Sequence, residues 1–323
     1  MSFFISVIIP VKNGEMTLKR CLDSIQQQSI IDDIEIIILD SGSTDDSLKI
    51  ARSYGVKVIA IDPLTFDHGL TRNVGVQHAS GELIYFTVQD AFLSSGDMLK
   101  KMSDHFYDGE IMAVVGHQAV PHELDKNPML WYKPISLPLS IKKYVQNDDW
   151  WQTSTQKEQK ELVAWDNVVS MYKRSALLAL PFVQTKFAED WIWSFNALKK
   201  GWKLMYDPSI VVYHYHHLNY RYAYATTIAV NYHLFKHLHF TPVKQSLIIP
   251  VLKDIWHLIR NNKISFAKKI YWIAYNIEAK LAQWNANRHF INKIKQGGLA
   301  NAEIIYNKVC IAIPMGKQNM KSI

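Results

Sequence analysis

Four short apolar runs, Ile5–Val11, Ile36–Leu39, Val56–Ile61 and Glu82–Phe92, are separated by polar turns and by segments with apolar residues at helical spacing. Strands that alternate with helices at so short an interval predict a mostly parallel sheet with helices on both faces. The first helix carries Leu18, Cys21, Leu22 and Ile25. The second follows Ser41–Ser47, with Ser43 or Thr44 available as its cap, and the third spans Thr71–Ala79. The expectation is an α/β fold with Rossmann-like layering, and 48% hydrophobic residues are enough to fill its core.

In such a sheet the chemistry gathers where strands end. Asp40, the Asp62–His68 loop and Asp90 all follow C-terminal strand ends, so they can converge on one edge. Asp90 closes its apolar run abruptly; it reads either as a metal- or phosphate-side residue or as a cap of the next turn. Lys12-Asn13-Gly14-Glu15-Met16 stands where a dinucleotide fold needs Gly-x-Gly-x-x-Gly, which disfavours a dehydrogenase. Cys21 and Cys310 have no metal or disulfide spacing, as fits a reducing compartment. The opening apolar run lacks a basic flank and a cleavage site and reads as a first strand, and no run is long enough to span a bilayer.

Further along, periodicity weakens from Pro121 to Lys160, as in a surface excursion that can line an acceptor groove. A strand follows at Asn167–Tyr172. Ala188-Glu189-Asp190-Trp191 opens a helix, where two acids suit the positive end of the macrodipole. Two short strands, Lys203–Tyr206 and Ile210–Tyr213, lead into Tyr-His-Tyr-His-His at 213–217, where His214 and His216 alternate and can point the same way.

Taken in order, Ser6-Val7-Ile8-Ile9-Pro10 with Asn13-Gly14-Glu15, Ile38-Leu39-Asp40-Ser41-Gly42-Ser43-Thr44-Asp45, Thr71-Arg72-Asn73, Gln89-Asp90-Ala91, Ala188-Glu189-Asp190 and Val212-Tyr213-His214 resemble a family 2 glycosyltransferase of the GT-A fold. The resemblance covers Ser6 to about Tyr220, which implies a catalytic domain over 1–220 and a basic helical region over 221–323. Phe66-Asp67-His68-Gly69-Leu70-Thr71-Arg72-Asn73 with Gln89-Asp90-Ala91 further resembles the rhamnosyltransferase-like branch, which implies dTDP-L-rhamnose as donor.

By that resemblance Pro10, Val11, Asn13 and Glu15 line the nucleoside pocket and Asp40 meets the nucleobase. Arg72 lies near the ribose or diphosphate, with Asn73 and Gln89 also in the donor site. Asp90, helped by His214, holds a divalent cation, Mg2+ or Mn2+. Asp190 is the general base of an inverting transfer, with Glu189 as the fallback base or an acceptor-binding group. The family's Asp-x-Asp motif has Val88 in place of its first acid, which weakens the expected metal site. Trp191 and Trp193 are candidates for stacking on sugar or for core packing. The alternatives are a UDP-sugar donor and a non-catalytic nucleotide-sugar-binding subunit.

The charge is uneven: 13 Lys/Arg face 3 Asp/Glu from Thr241 onward, within a net +7 for the whole chain. Phe266, Ile270, Ile273, Ile277, Leu281 and Trp284 form a helical stripe interspersed with Lys268, Lys269, Lys280 and Arg288. Core packing or subunit contact is the ordinary use of such a stripe, while the basic and aromatic enrichment suits an anionic membrane leaflet. No nucleic-acid-reading motif accompanies the charge. The expected setting is cytoplasmic, peripheral at the inner face of the membrane, with a glycan or lipid-linked glycan as acceptor.

Overall fold

Every side chain of Ile5–Val11 is buried, as a strand covered on both faces requires. It is β1 of nine strands among the described residues: β2 (Ile34–Asp40), β3 (Lys57–Ala60), β4 (Leu83–Phe86), β5 (Phe92–Leu93), β6 (Ile111–Ala119), β7 (Ile141–Lys143), β8 (Ser170–Lys173) and β9 (Lys203–Tyr213). The computed structural model describes residues 3–310 except 132–139, 146, 148 and 245. They form two compact units, residues 3–119 with 140–215, and residues 120–131 with 216–310.

The first unit holds one sheet in the order β3-β2-β1-β4-β8-β6-β9-β5. β1 to β4, β6 and β9 run one way, and β5, β7 and β8 run against them. The connecting helices are α1 (Leu18–Gln26), α2 (Ser47–Ser53), α3 (His68–His78), α4 (Met98–Asp104), α5 (Trp150–Thr153), α6 (Gln156–Val163), α7 (Arg174–Ala179) and α8 (Glu189–Lys199). Val7 and Ile9 share a core with Leu22 and Ile25 of α1 and Met98 of α4, while Ile8 faces the other way and meets α3. Both sheet faces are therefore covered.

Two strand expectations change. Of the Glu82–Phe92 run only Leu83–Phe86 is strand against β1, so Asp90 sits in the turn beyond that strand rather than at its last position. The Gln89 side chain stands in for the lost ladder, accepting from Lys12 N at 2.8 Å and donating to Lys12 O at 3.2 Å. Pro10 fits the same departure. Thr87 N donates to Ile8 O, so every second residue from Ile8 turns its backbone toward β4, and at Pro10 β4 has already left. The two strands expected around Pro208 are one, β9, whose ladder with β6 slips between Val115 and His117.

The second unit contains α9 (Tyr220–Leu238), α10 (Ile248–Arg260) and α11 (Phe266–Val309), the last broken at Gly297 and Gly298. Residues 120–131, expected as part of the first domain's surface excursion, group with these helices. Trp131 joins Leu258, Ile264 and Trp272 in a separate apolar cluster, and Asn127 and Asn276 exchange amide hydrogen bonds at 2.8 and 3.3 Å. Those partners also rotate α11 away from its expected stripe: Trp272, Asn276, Ala282, Ala286 and Phe290 are buried, whereas Phe266, Ile270 and Ile277 are exposed. None of the described helices is long and apolar enough to cross a membrane.

Candidate active site

The loops after β1 and β2 are clasped by their own side chains. Asn13 N donates to Ser43 Oγ at 2.9 Å, and Asn13 Oδ1 accepts from Thr44 N at 2.8 Å. Gly14 N donates to Ser47 Oγ, Glu15 N donates to Asp45 Oδ2, and Glu15 Oε2 accepts from Asp46 N. Asp40 is buried under this clasp and accepts from Gly42 N and Ser43 N at 3.1 to 3.3 Å. At Gly14 a Cβ would lie 2.7 Å from Gln89 Oε1, so the residue must be small for Gln89 to reach Lys12. Pro10 and Val11 form the buried floor from which the first loop leaves. Asn13 itself has φ +50°, a left-handed conformation that costs a non-glycine residue roughly 1–2 kcal/mol and that accumulates at functional sites.

A second centre comes from the short pairing of β5 with the end of β9. Phe92 opposes Tyr213, which brings Asp90, two residues before, to His214, one residue after. Asp90 Oδ1 lies 3.5 Å from His214 Nε2, with both side chains about nine-tenths buried. The far side of the imidazole is fixed: Nδ1 is 2.8 Å from Gln118 Oε1, and Gln118 Nε2 donates to Asp166. An amide oxygen only accepts, so Nδ1 carries the hydrogen of that bond and Nε2 is the ring atom turned toward Asp90. His216, two residues on in the same connecting stretch, brings a third donor, with one ligand atom from each of Asp90, His214 and His216 within 4.8 Å of the others. One carboxylate, two imidazoles and an outer amide–carboxylate support suit a divalent cation.

The third centre is the start of α8. Ala188 adopts φ +66° just before the helix and turns Glu189 and Asp190 into its first turn. Asp190 Oδ2 accepts from Asn167 N at 3.0 Å and Oδ1 from Trp191 N at 2.7 Å. Burial, then the neighbouring charges of Glu189 and Asp166, push its carboxyl up to about 8. Glu189 moves the other way. Burial alone would raise it, but Arg72 and His68 outweigh that and hold it below the usual range. Asp166 is raised by its burial. The two adjacent acids are thus driven apart in character, the pattern that separates acid and base roles.

Arg72, expected beside the donor, is buried: Nη1 is 2.6 Å from Glu189 Oε1, with 5% and 8% of the two side chains exposed. Asn73 bonds both backbone groups of Phe182, and Asp67 caps α3 while accepting from Thr185 N. Gly69 lets Val183 O approach to 2.6 Å of where a Cβ would stand. The Asp67–Asn73 motif therefore fastens residues 182–189, the segment that carries the acids. Trp193 is buried and donates to Leu180 O, so it packs the core, and Trp191 stacks on Phe195.

Replacing Arg72 by Met should leave Glu189 buried without its cation and cost about 3–5 kcal/mol of stability. Denaturant titration measures this; weakened donor affinity at unchanged stability would instead return Arg72 to the donor site. Gln118, Asp166 and Asn167 escaped the sequence reading. Their one local signal was the Asp166-Asn167 pair set between Trp165 and Val168-Val169.

Two loops clasped at the C-terminal edge of the sheet, a cation-ready Asp–His pair and a raised carboxyl at a helix start make up the candidate site. Residues 6–177 match the family described as Glycosyl transferase family 2, and the chain belongs to that family. It is 32% identical over 216 residues to the O-antigen chain rhamnosyltransferase RfbN of Salmonella typhimurium, covering 66% of each chain. It is 30% identical over 192 residues to WbaN of Salmonella anatum, covering 56% of each. The alignments thus span only about half to two thirds of those relatives. The fold is that of GT-A glycosyltransferases. The mannosyltransferase PcManGT of Pyrobaculum calidifontis, solved with GDP-Man and Mn2+, superposes with TM-score 0.52 at 17% identity, over 98% of this chain and 82% of that one. S. aureus TarS 1–349 gives 0.53 at 15% identity, over 94% and 90%.

Proposed function

We propose that this chain is an inverting glycosyltransferase that moves L-rhamnose from dTDP-L-rhamnose to a hydroxyl of a bacterial surface glycan, working at the cytoplasmic face of the membrane. The observation that carries the reading is one connected set of groups with two opposite characters. Asp90 and His214 face each other as cation ligands, and through Gln118 and Asp166 that pair leads to the field around Asp190. The likeness to the two O-antigen chain rhamnosyltransferases supports this choice of donor.

In this reading the clasped loops at 10–15 and 41–47 receive the nucleoside, with Asp40 and Gln89 holding their shape. Asp190 accepts the proton of the acceptor hydroxyl as its oxygen attacks the anomeric carbon on the face opposite the diphosphate, which inverts that centre. Its raised carboxyl value makes it basic enough to take the proton once ionised. Glu189, paired with Arg72, stays ionised and keeps Asp190 basic. A divalent cation held by Asp90, His214 and His216 would offset the charge that develops on the leaving diphosphate. Arg72 and Asn73 support the base-bearing segment rather than touch the donor.

A second reading keeps the reaction and changes the donor to a UDP-sugar; the fold is shared with TarS solved with UDP-GlcNAc. The reading as a non-catalytic binding subunit is disfavoured by the shaped environment of Asp190, for which binding has no need. Nucleotide release and transfer measured with dTDP-L-rhamnose, UDP-galactose and UDP-N-acetylglucosamine, with and without chelator, tests all three. The expected result is a preference for dTDP-L-rhamnose of at least about 100-fold in kcat/KM, since a site that hydrogen-bonds one sugar's hydroxyls rejects another's strongly. Turnover of a UDP-sugar alone moves the assignment to the second reading, and binding without turnover of any donor moves it to the third.

A further inference from the structure

Among the described residues, ten of the 24 exposed large apolar side chains lie between Val243 and Ile277. That concentration marks a patch rather than scatter. Its centre is α10, where Ile248, Ile249, Leu252, Trp256 and Ile259 are all more than half exposed. At 3.6 residues per turn these five positions fall within an arc of about 100° on one side of the helix. Leu258 is buried on a different face, against Ile264 and Trp272, and Asp254 is tied down by Lys280 at 3.1 Å. The helix is therefore already docked by one face, and the apolar arc is what it turns outward.

Cations border that arc. Lys253 and Arg260 lie next to it on the helix, both exposed, and the Arg260 guanidinium sits 4.5 Å over the exposed ring of Trp256. From Lys244 to Lys269 the segment holds six Lys/Arg and one acid, Asp254. Phe266 and Ile270, which open α11, are exposed as well. A helix with Trp, Leu and Ile on one side, Lys and Arg along its margin and no capacity to span is built to lie in the plane of a bilayer surface. We propose that the α10 face, centred on Leu252, Trp256 and Ile259, is a docking surface for an anionic lipid bilayer. A second copy of this chain fits the same face poorly, because pairing it with itself would set the basic margins against one another.

The surface stands independently of which sugar is transferred; resting on the proposed function, it would also hold the enzyme at the membrane that carries a lipid-linked acceptor. The test uses the full chain with vesicles of phosphatidylcholine alone and with about 30% phosphatidylglycerol, an anionic fraction that gives basic residues about 1 kcal/mol each. Co-sedimentation is measured at low and high salt for wild type, for Leu252→Ser/Trp256→Ser/Ile259→Ser and for Lys253→Glu/Arg260→Glu, with analytical ultracentrifugation in the absence of lipid. Wild type is expected to bind the anionic vesicles in a salt-sensitive way, and both variants to bind at least about tenfold more weakly. Both variants change exposed side chains, so circular dichroism melts should match wild type, and transfer to a soluble acceptor should be retained. Equal sedimentation of wild type and both variants overturns the proposal. So does a wild-type dimer that ignores vesicles and that the triple-serine variant breaks, which would assign the face to self-association. Loss of transfer with every donor at intact vesicle binding would overturn the proposed function and leave this surface standing.

Discussion

Asp190→Asn is expected to lower turnover by about 100-fold or more while leaving donor affinity nearly unchanged, because an amide of almost the same shape cannot accept a proton. The two effects separate in a donor titration run beside single-turnover kinetics. Wild-type turnover should rise with pH toward about 8, where the Asp190 carboxyl ionises. Near-normal turnover in the variant would remove Asp190 as the base.

The same substitution should raise stability at neutral pH. The carboxyl's value in the fold, about 8, lies above its ordinary 3.8, so the folded protein holds a proton that the unfolded chain releases. Its favourable contribution is complete below about 4 and is lost as pH climbs toward 8. By pH 7 the loss amounts to a few kcal/mol at about 1.4 kcal/mol per unit, against roughly 1 kcal/mol for the one N–H contact an amide cannot keep. The difference in melting temperature between Asp190→Asn and wild type should therefore be small near pH 4 and grow toward pH 8. A difference that does not vary with pH would mean that Asp190 is not raised.

Asp90→Ala should weaken Mn2+ binding by at least about 100-fold, since even the residues that support a metal ligand are worth 10- to 100-fold in affinity. His214→Ala should act the same way and less strongly, because a neutral imidazole offers less charge than a carboxylate. Gln118→Leu should fall within about 10- to 100-fold, because it frees the His214 ring and takes away the acceptor that keeps Nε2 toward Asp90. Calorimetric titration with Mn2+ measures all three without requiring turnover. If none changes cation affinity, and chelator leaves activity intact, the diphosphate must be met by side chains and backbone alone.

What the sequence determined by itself was local. Alternating apolar runs dictated β1, β2, β3 and their helices, since strand and helix periodicity and turn chemistry act over a few residues and survive any packing. The same locality made the start of α8 legible: two acids after Ala188 satisfy a helix N-terminus wherever that helix lies. The tertiary structure decided everything that depends on a distant partner. Where the Asp90 run stops being a strand is set by β1 and by Gln89 reaching Lys12, 77 residues away. That Arg72 pairs with Glu189 is set by a contact across 117 residues. Gln118 and Asp166 gain meaning only when β6 and β9 pair and bring His214 beside them. The α11 stripe was legible in its period, but whether it would be buried was not. A helix is amphipathic by its own spacing, but the face it buries is chosen by what it packs against: Trp131, Leu258 and Ile264 claimed Trp272, and Phe266 and Ile270 were left outside.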